Sequence, residues 1–253
     1  MIADLPGTAG HSPQGHTYAA AVPDFATFDQ RGYPTVSVRE GYGAWHPSYE
    51  DTVLDLMDLS LLDRLETVRW SEAKAVADLG CGSGRTARWL VSKGVAIIDG
   101  VDLTPEMLDG ARELGLHRQL EEADVRATPL PTAAYDVAVC SLVDEHLPEL
   151  YALYEEARRL LASGGAFVIV GYHPYFIMSA GMPTHFDGPD GQPVAIETYV
   201  HLPSAHVDAA RVAGLVASEM YEAVIDAAWI RRKPKWDRYR GWPISFVWAW
   251  HAA

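Results

Sequence analysis

Lys74-Ala-Val-Ala-Asp-Leu-Gly-Cys-Gly-Ser-Gly-Arg-Thr86 is the stretch whose reading decides the fold. Ala75-Val76-Ala77 is an apolar run too short for a helix and bounded by turn residues, so it predicts a buried strand. Gly80, Gly82 and Gly84 then predict a turn with positive φ angles, where a ligand can approach because no Cβ stands in its way. A helix starting near Gly84 and running to Val91 would aim its free N–H groups and positive dipole end at that ligand, which suits a nucleotide-like cofactor. A bare strand-to-helix turn would need the same glycines. The spacing narrows the choice of ligand: a dinucleotide fingerprint counted from Gly80 needs glycine at position 85, where this chain has Arg85. What stands here is Asp78-x-Gly80-x-Gly82-x-Gly84.

That pattern resembles the first motif of the class I S-adenosylmethionine-dependent methyltransferases, and the likeness grows downstream. Val95 to Asp102 reads as a second strand ending in an acid, and Thr104-Pro105-Glu106 as a helix start. An acid at that strand end can accept both ribose hydroxyls of an adenosine, a device NAD-binding folds share. Tyr135-Asp-Val-Ala-Val-Cys-Ser141 reads as a buried strand, with Ser141 to Leu147 at its carboxyl end, where open α/β sheets place ligands. Glu156-Ala-Arg-Arg159 and Gly164-Gly165 resemble the family's helix and turn before the fifth strand, here Ala166 to Gly171. By motif the resemblance covers roughly residues 40 to 171, and beyond them by element order only.

The resemblance implies an α/β, Rossmann-like fold: a seven-stranded, mostly parallel sheet with an antiparallel last strand and helices on both faces. S-adenosylmethionine would lie at the carboxyl edge, held by Asp78, Gly80, Cys81, Gly82, Asp102, Leu103, Asp124, Val125 and Ser141. Asp124-Val125 matches the family's adenine contact, and Leu103 would face the adenine. Tyr42, Trp45 and Tyr49 resemble the aromatic stretch that closes over the cofactor in small-molecule members. The same aromatics can serve simply to staple a helix to the core.

Around this centre the chain divides in a simple way. Residues 1–39, with His11 and His16 among Gly, Pro, Ala and Ser, read as an arm without sustained period, partly disordered or draped over the surface. The methyltransferase domain is expected over residues 40–253. Within it, residues 40–70 form a cap whose amphipathic helix starts at Pro47-Ser48 and runs to about Leu65. Residues 172–203, rich in Pro, Gly, aromatics and His, read as an irregular lid. A helix from Ala205 to Leu215, a strand from Glu219 to Ile230 and a last strand from Ile244 to Trp250 complete the order, with Arg231 to Arg240 as a basic connecting loop.

Composition bounds the function. A net charge of −14 argues against a nucleic-acid backbone as substrate, because such binding rests on phosphate neutralisation. No run approaches the ~18 apolar residues of a membrane span. The absence of a basic patch followed by an apolar stretch, and the two cysteines Cys81 and Cys140, fit a reducing cytoplasm. The expected partner is a small-molecule methyl acceptor for a monomer or homodimer, without nucleic acid or membrane. Methyl transfer needs in-line positioning, exclusion of water and, for many acceptors, a base of near-neutral pKa. His146, His173, His185 and His201 are the candidates; each can equally be a structural hydrogen-bonder. His185, Glu197 and His201 match no compact ligand pattern, so no metal is expected. Two other readings remain at this point: a methyltransferase fold that binds the cofactor without methylating, as a binding module or cyclase-like catalyst, and an NAD-dependent oxidoreductase.

Overall fold

The structure, a computed structural model, describes residues 23–252; His11 and His16 lie outside the described residues. Strand β1 (Thr35–Val36) leads into helix α1 (Val38–Trp45), a 3-10 turn over His46–Ser48 and two short helices, α2 (Tyr49–Thr52) and α3 (Leu59–Leu62). The single helix expected from Pro47 to Leu65 is therefore broken. Helix α1 begins earlier because Ser37 and Glu40 cap its first turn reciprocally. Val53 is extended, and the Asp58 side chain accepts from the Leu59 N–H at 2.7 Å to start a new turn. Asp58 is itself buried against Arg85, so a tertiary ion pair overrides the local helical spacing.

The central part follows as β2 (Ala75–Leu79), α4 (Arg85–Ser92), β3 (Ile97–Asp102), α5 (Pro105–Leu114), β4 (Gln119–Glu122), β5 (Tyr135–Ser141), α6 (Tyr151–Leu160) and β6 (Leu161–Tyr172). The remainder comprises α7 (Pro174–Ala180), β7 (His185–Asp187), β8 (Pro193–Ile196), α8 (Pro203–Val212), β9 (Leu215–Val224), α9 (Ala227–Arg232) and β10 (Pro243–Ala252). The main sheet has seven strands in the order β4-β3-β2-β5-β6-β10-β9, and only β10 runs antiparallel to its neighbours. This is the sheet expected from sequence. The chain steps from β2 out to β4 and returns to β5 beside β2. Strand order thus reverses between β2 and β5 and opens a crevice at their carboxyl ends.

Alternation along the strands divides the core between the two faces of the sheet. Val76, Val139 and Val168 pack with Leu90 of α4 and with Leu61 and Leu62 of α3, while Leu79, Cys140 and Phe167 pack with Tyr154 of α6 and Ala209 of α8. Each fully buried leucine contributes about 1.5–3 kcal/mol. The sequence motifs serve this frame. Asp136 Oδ2 accepts the N–H groups of Lys74 and Ala75 at 2.7 and 3.1 Å, aligning the start of β2 beside β5. Glu156 accepts from Thr128 N–H at 2.8 Å and from Arg159, whose guanidinium donates to the carbonyls of Thr128 and Leu130, so the Glu-x-x-Arg helix pins the loop after β4.

The 172–203 insertion is more regular than its composition suggests. It contains α7, and β7 and β8 form a hairpin closed by Gly188 N–H donating to Gln192 O at 2.8 Å. β1 then pairs in parallel with β8, giving a three-stranded sheet of order β1-β8-β7. The last segment also shifts. Gly214, at φ +71°, ends α8 early, so Leu215 already lies in β9. The expected strand to Ile230 stops at Val224, because Asp226 accepts from the N–H groups of Ala228 and Trp229 and starts α9. The expected basic loop carries the end of α9 and a 3-10 turn over Pro234–Tyr239. Among the described residues, no helix is long and apolar enough to cross a membrane.

Candidate functional site

The glycine turn sits at the mouth of the crevice. Gly80 has φ +74°, and a Cβ there would meet Val143 Cγ2 at 2.4 Å, so no other residue fits without displacement. The N–H groups of Gly80 and Cys81 both donate to Val101 O, at 2.8 and 2.9 Å, which turns the chain toward the end of β3. There Asp102 Oδ2 accepts from Gly82 N–H at 2.8 Å and Oδ1 accepts from Thr104 N–H at 2.8 Å. Burial pushes the Asp102 carboxyl up, and these N–H groups pull it back. Each oxygen keeps a second acceptor position, as a pair of neighbouring hydroxyls requires.

Beneath the turn lies a feature that sequence reading missed. Arg85 is buried and ion-paired with Asp58, with a second contact to Asp55 at 2.8 Å. Ser141 Oγ donates to Asp58 Oδ2 at 3.2 Å. Burial raises the Asp58 carboxyl against the pull of Arg85. The side chain at the position where a dinucleotide fingerprint needs glycine thus ties the start of α4 to the cap of α3 and the end of β5. Asp58 was visible in sequence only as one acid before an apolar run.

A cavity of about 400 Å³ opens over the turn, lined by Gly80, Gly82, Asp102, Leu103, Asp124, Val125 and Ser141 from the expected set, with Tyr42 and Tyr49 above. Asp78 and Cys81 are buried below it, Asp78 Oδ2 lying 3.5 Å from His117 Nε2. Asp124 carries Arg126 at 2.6 Å, and that bond holds its carboxyl below the usual range. Trp45 faces away from this cavity, stacked between Tyr42 and Phe186.

A family model described as a methyltransferase domain matches residues 77–169, from β2 through β6. Trans-aconitate 2-methyltransferase from Azoarcus sp. (strain BH72) is 33% identical over 128 residues, covering 50% of this chain and 46% of the relative. Residues 77–169 therefore carry a methyltransferase domain, as the glycine turn and strand-end acid implied. The chain spans about half the length of the curated relatives it matches. Among solved structures, an S-adenosylmethionine-dependent methyltransferase from Mesorhizobium loti superposes with a TM-score of 0.62 at 21% identity, covering 79% of this chain and 99% of that one. The cyclase SpnF superposes at 0.58 and 19% identity, covering 88% and 99%. These two likenesses bear on the fold alone.

S-adenosylmethionine is the cofactor of this methyltransferase family. The residues present fit it: backbone at Gly80 and Gly82 where a side chain would fill the cradle, an acceptor carboxylate at Asp102 for a ribose diol, and apolar Leu103 and Val125 for a base.

A second cavity, of about 890 Å³, shares Tyr42, Tyr49 and Leu142 with the first. Trp45, Tyr172, Phe186, Trp229 and Trp236 supply its apolar lining, and Glu145 reaches it from the end of β5. Glu145 Oε1 accepts from Thr184 Oγ1 at 3.3 Å, whereas Oε2 has no partner among the described residues. Burial pushes this carboxyl up to about 7, partly offset by His146, whose Nε2 lies 3.8 Å away. Sequence reading passed over Glu145 because histidine is the usual near-neutral base and the burial of one acid among Ser141 to Leu147 is set by the insertion, which is remote in sequence.

The four expected histidines separate. His146 lines the first cavity; its Nδ1 donates to Glu197 O at 2.6 Å, so in the neutral ring Nε2 accepts from the Tyr42 hydroxyl at 2.9 Å. His185 lines the second cavity, donates from Nδ1 to Pro183 O at 2.9 Å and is held below its usual range by burial. His173 lines neither: Nδ1 accepts from Tyr175 N–H as the cap of α7, and Nε2 donates to Glu222 at 3.0 Å. His201 also lines neither; Nε2 donates to Leu147 O at 2.7 Å.

Proposed function

We propose that this protein transfers the methyl group of S-adenosylmethionine to a small-molecule acceptor held in the larger cavity. The observation that carries the proposal is the shared wall: Tyr42, Tyr49 and Leu142 border both cavities, so a group bound over the glycine turn and one bound beyond the tyrosines would face each other there. When bound, S-adenosylmethionine supplies an electrophilic methyl on a sulfonium. Asp102 accepts the ribose hydroxyls, the Gly80 and Gly82 backbone admits the amino-acid end, and Asp124 and Val125 border the base.

For an acceptor that loses a proton, Glu145 is the base this reading favours. It has an uncommitted oxygen, lies three residues beyond Leu142 of the shared wall, and is poised near neutrality by burial. His185 is the alternative base on the far side of that cavity, and Tyr42 with His146 positions the wall. His173 and His201 are assigned structural roles, since neither lines a cavity, both ring nitrogens of His173 are hydrogen-bonded, and Nε2 of His201 donates to a backbone carbonyl. The β1-β8-β7 sheet with α7 acts as the roof that excludes water.

The two buried free cysteines fit a cytoplasmic setting, and a monomer or homodimer acting on a metabolite fits the reading as a whole. The test is transfer of labelled methyl from S-adenosylmethionine to a metabolite extract, alongside calorimetric titration with S-adenosylhomocysteine. Labelled product supports the proposal. Tight binding with no labelled product from any extract would favour a cofactor-binding, non-methylating protein instead.

A further inference from the structure

The larger cavity is lined by Arg31, Arg232, Lys233, Lys235 and Arg238 as well as by aromatics. Eleven of the 20 Lys and Arg residues hold a carboxylate ion pair among the described residues, leaving nine that do not. Five of those nine line this one cavity. In a chain of net charge −14, cations without counter-ions at a cavity mouth are the reverse of what solubility alone would select.

Their existing contacts leave charge to spare. Arg31 donates to Tyr239 Oη at 2.9 Å and toward Ala180 O, both neutral, and its Nε has no acceptor among the described residues. Lys233 donates to Thr52 O at 2.9 Å and lies over the Trp236 ring. Arg238 packs over Tyr239. The acids on the same lining are Asp51 and Asp187, both exposed, and Glu145, whose burial favours its neutral form up to about pH 7. None of the three is within ion-pair distance of the five cations. Arg31 aside, these cations come from α9, the following 3-10 turn and Lys233 between them; Trp229 and Trp236 of the same two elements stack at 5.5 Å and line the same cavity.

Resting on the methyl-transfer reading above, we infer that the acceptor is an anionic amphiphile: an apolar or aromatic body seated between Trp45, Phe186 and Trp236, with a carboxylate, phosphate or sulfate head at the Arg232, Lys235 and Arg238 rim. The apolar body is desolvated against the aromatics. The head is selected because a neutral group leaves the rim charges without a partner, whereas an anion gains charge-assisted hydrogen bonds.

The test uses two fluorescent probes with the same aromatic body, anilinonaphthalene sulfonate and its uncharged parent phenylnaphthylamine, titrated into the full chain saturated with S-adenosylhomocysteine. The sulfonate is expected to bind at least roughly tenfold more tightly than the neutral dye at low salt, and to lose that advantage as ionic strength rises. In the Lys235→Glu/Arg238→Glu variant, whose two sites are exposed, the sulfonate is expected to weaken roughly tenfold and the neutral dye less than twofold. Equal affinities of the two dyes for the unmodified chain, or equal losses of both in the variant, would overturn the inference. Titration with S-adenosylhomocysteine alone keeps the two readings apart: failure there removes the methyl-transfer reading, while the dye comparison still decides whether the cavity selects anions.

Discussion

Asp102→Asn alters a side chain whose two oxygens each already accept a backbone N–H, from Gly82 at 2.8 Å and from Thr104 at 2.8 Å. An amide has one acceptor oxygen, so whichever way it flips, its NH₂ group faces one of those donors. Two separable losses follow. In the free protein one buried N–H is left without an acceptor, which costs about 1–3 kcal/mol of folding stability. In the complex, hydroxyls that met a charged acceptor meet a neutral one, a loss of about 1.5–3 kcal/mol, or roughly 10- to 150-fold in Kd. Calorimetric titration with S-adenosylhomocysteine measures the second loss, and urea unfolding without ligand measures the first. Weakened binding together with a lowered unfolding midpoint is expected. A midpoint that falls while Kd stays within twofold would refute the cofactor assignment and leave Asp102 as a strut of the glycine turn.

Glu145→Gln should lower kcat/KM by roughly 10²–10⁴ and abolish its rise with pH through about 7, if this carboxylate is the base. The same substitution carries an opposite signature in stability. Folded Glu145 keeps its proton to about pH 7 against an ordinary value of 4.5, so stability of the unmodified chain falls across that window, by ~3 kcal/mol from this group. The glutamine variant should therefore gain stability relative to the parent as pH rises from 5 to 8, measured by urea unfolding at each pH. Buried His206, pushed down to about 3, titrates in the opposite sense but is common to both chains and cancels in the difference. Asp58→Ala should destabilise by about 3–5 kcal/mol, because Arg85 stays buried with only the exposed Asp55 as partner; a loss below 1 kcal/mol in chemical denaturation would contradict the buried pair. Gly80→Ala should cost at least about 1 kcal/mol from its positive φ alone and weaken S-adenosylhomocysteine further, since its Cβ would displace Val143; unchanged binding by calorimetry would argue against the cradle.

Local pattern carried the sheet. The buried runs at Val76, Ile98, Val139 and Val168, closed by Gly80, Asp102, Ser141 and Gly171, specify parallel strands because a strand covered on both faces must be predominantly apolar. The turn at Gly80 and the acid at Asp102 were legible for the same reason: a positive φ and a strand-end carboxylate are demands of the residues themselves, and both meet at one cavity. The roof was not legible. β1 and β8 are two and four residues long and lie 160 residues apart at Val36 and Ile196, too short to show a period and too distant to predict a pairing. The break at Val53 escaped because an apolar spacing of three and four reports only a possible helix, while the buried partner of Asp58 is chosen by the arrival of α4. Among the histidines, one residue type stood for four environments, and only the fold decided which nitrogens were committed to carbonyls, which to Glu222 and which faced a cavity. Sequence alone determined the half of the candidate site proposed for the cofactor, which is built from a contiguous turn and two strand ends; the half proposed for the acceptor depended on tertiary structure, because its wall is assembled from segments whose local patterns carry no record of one another.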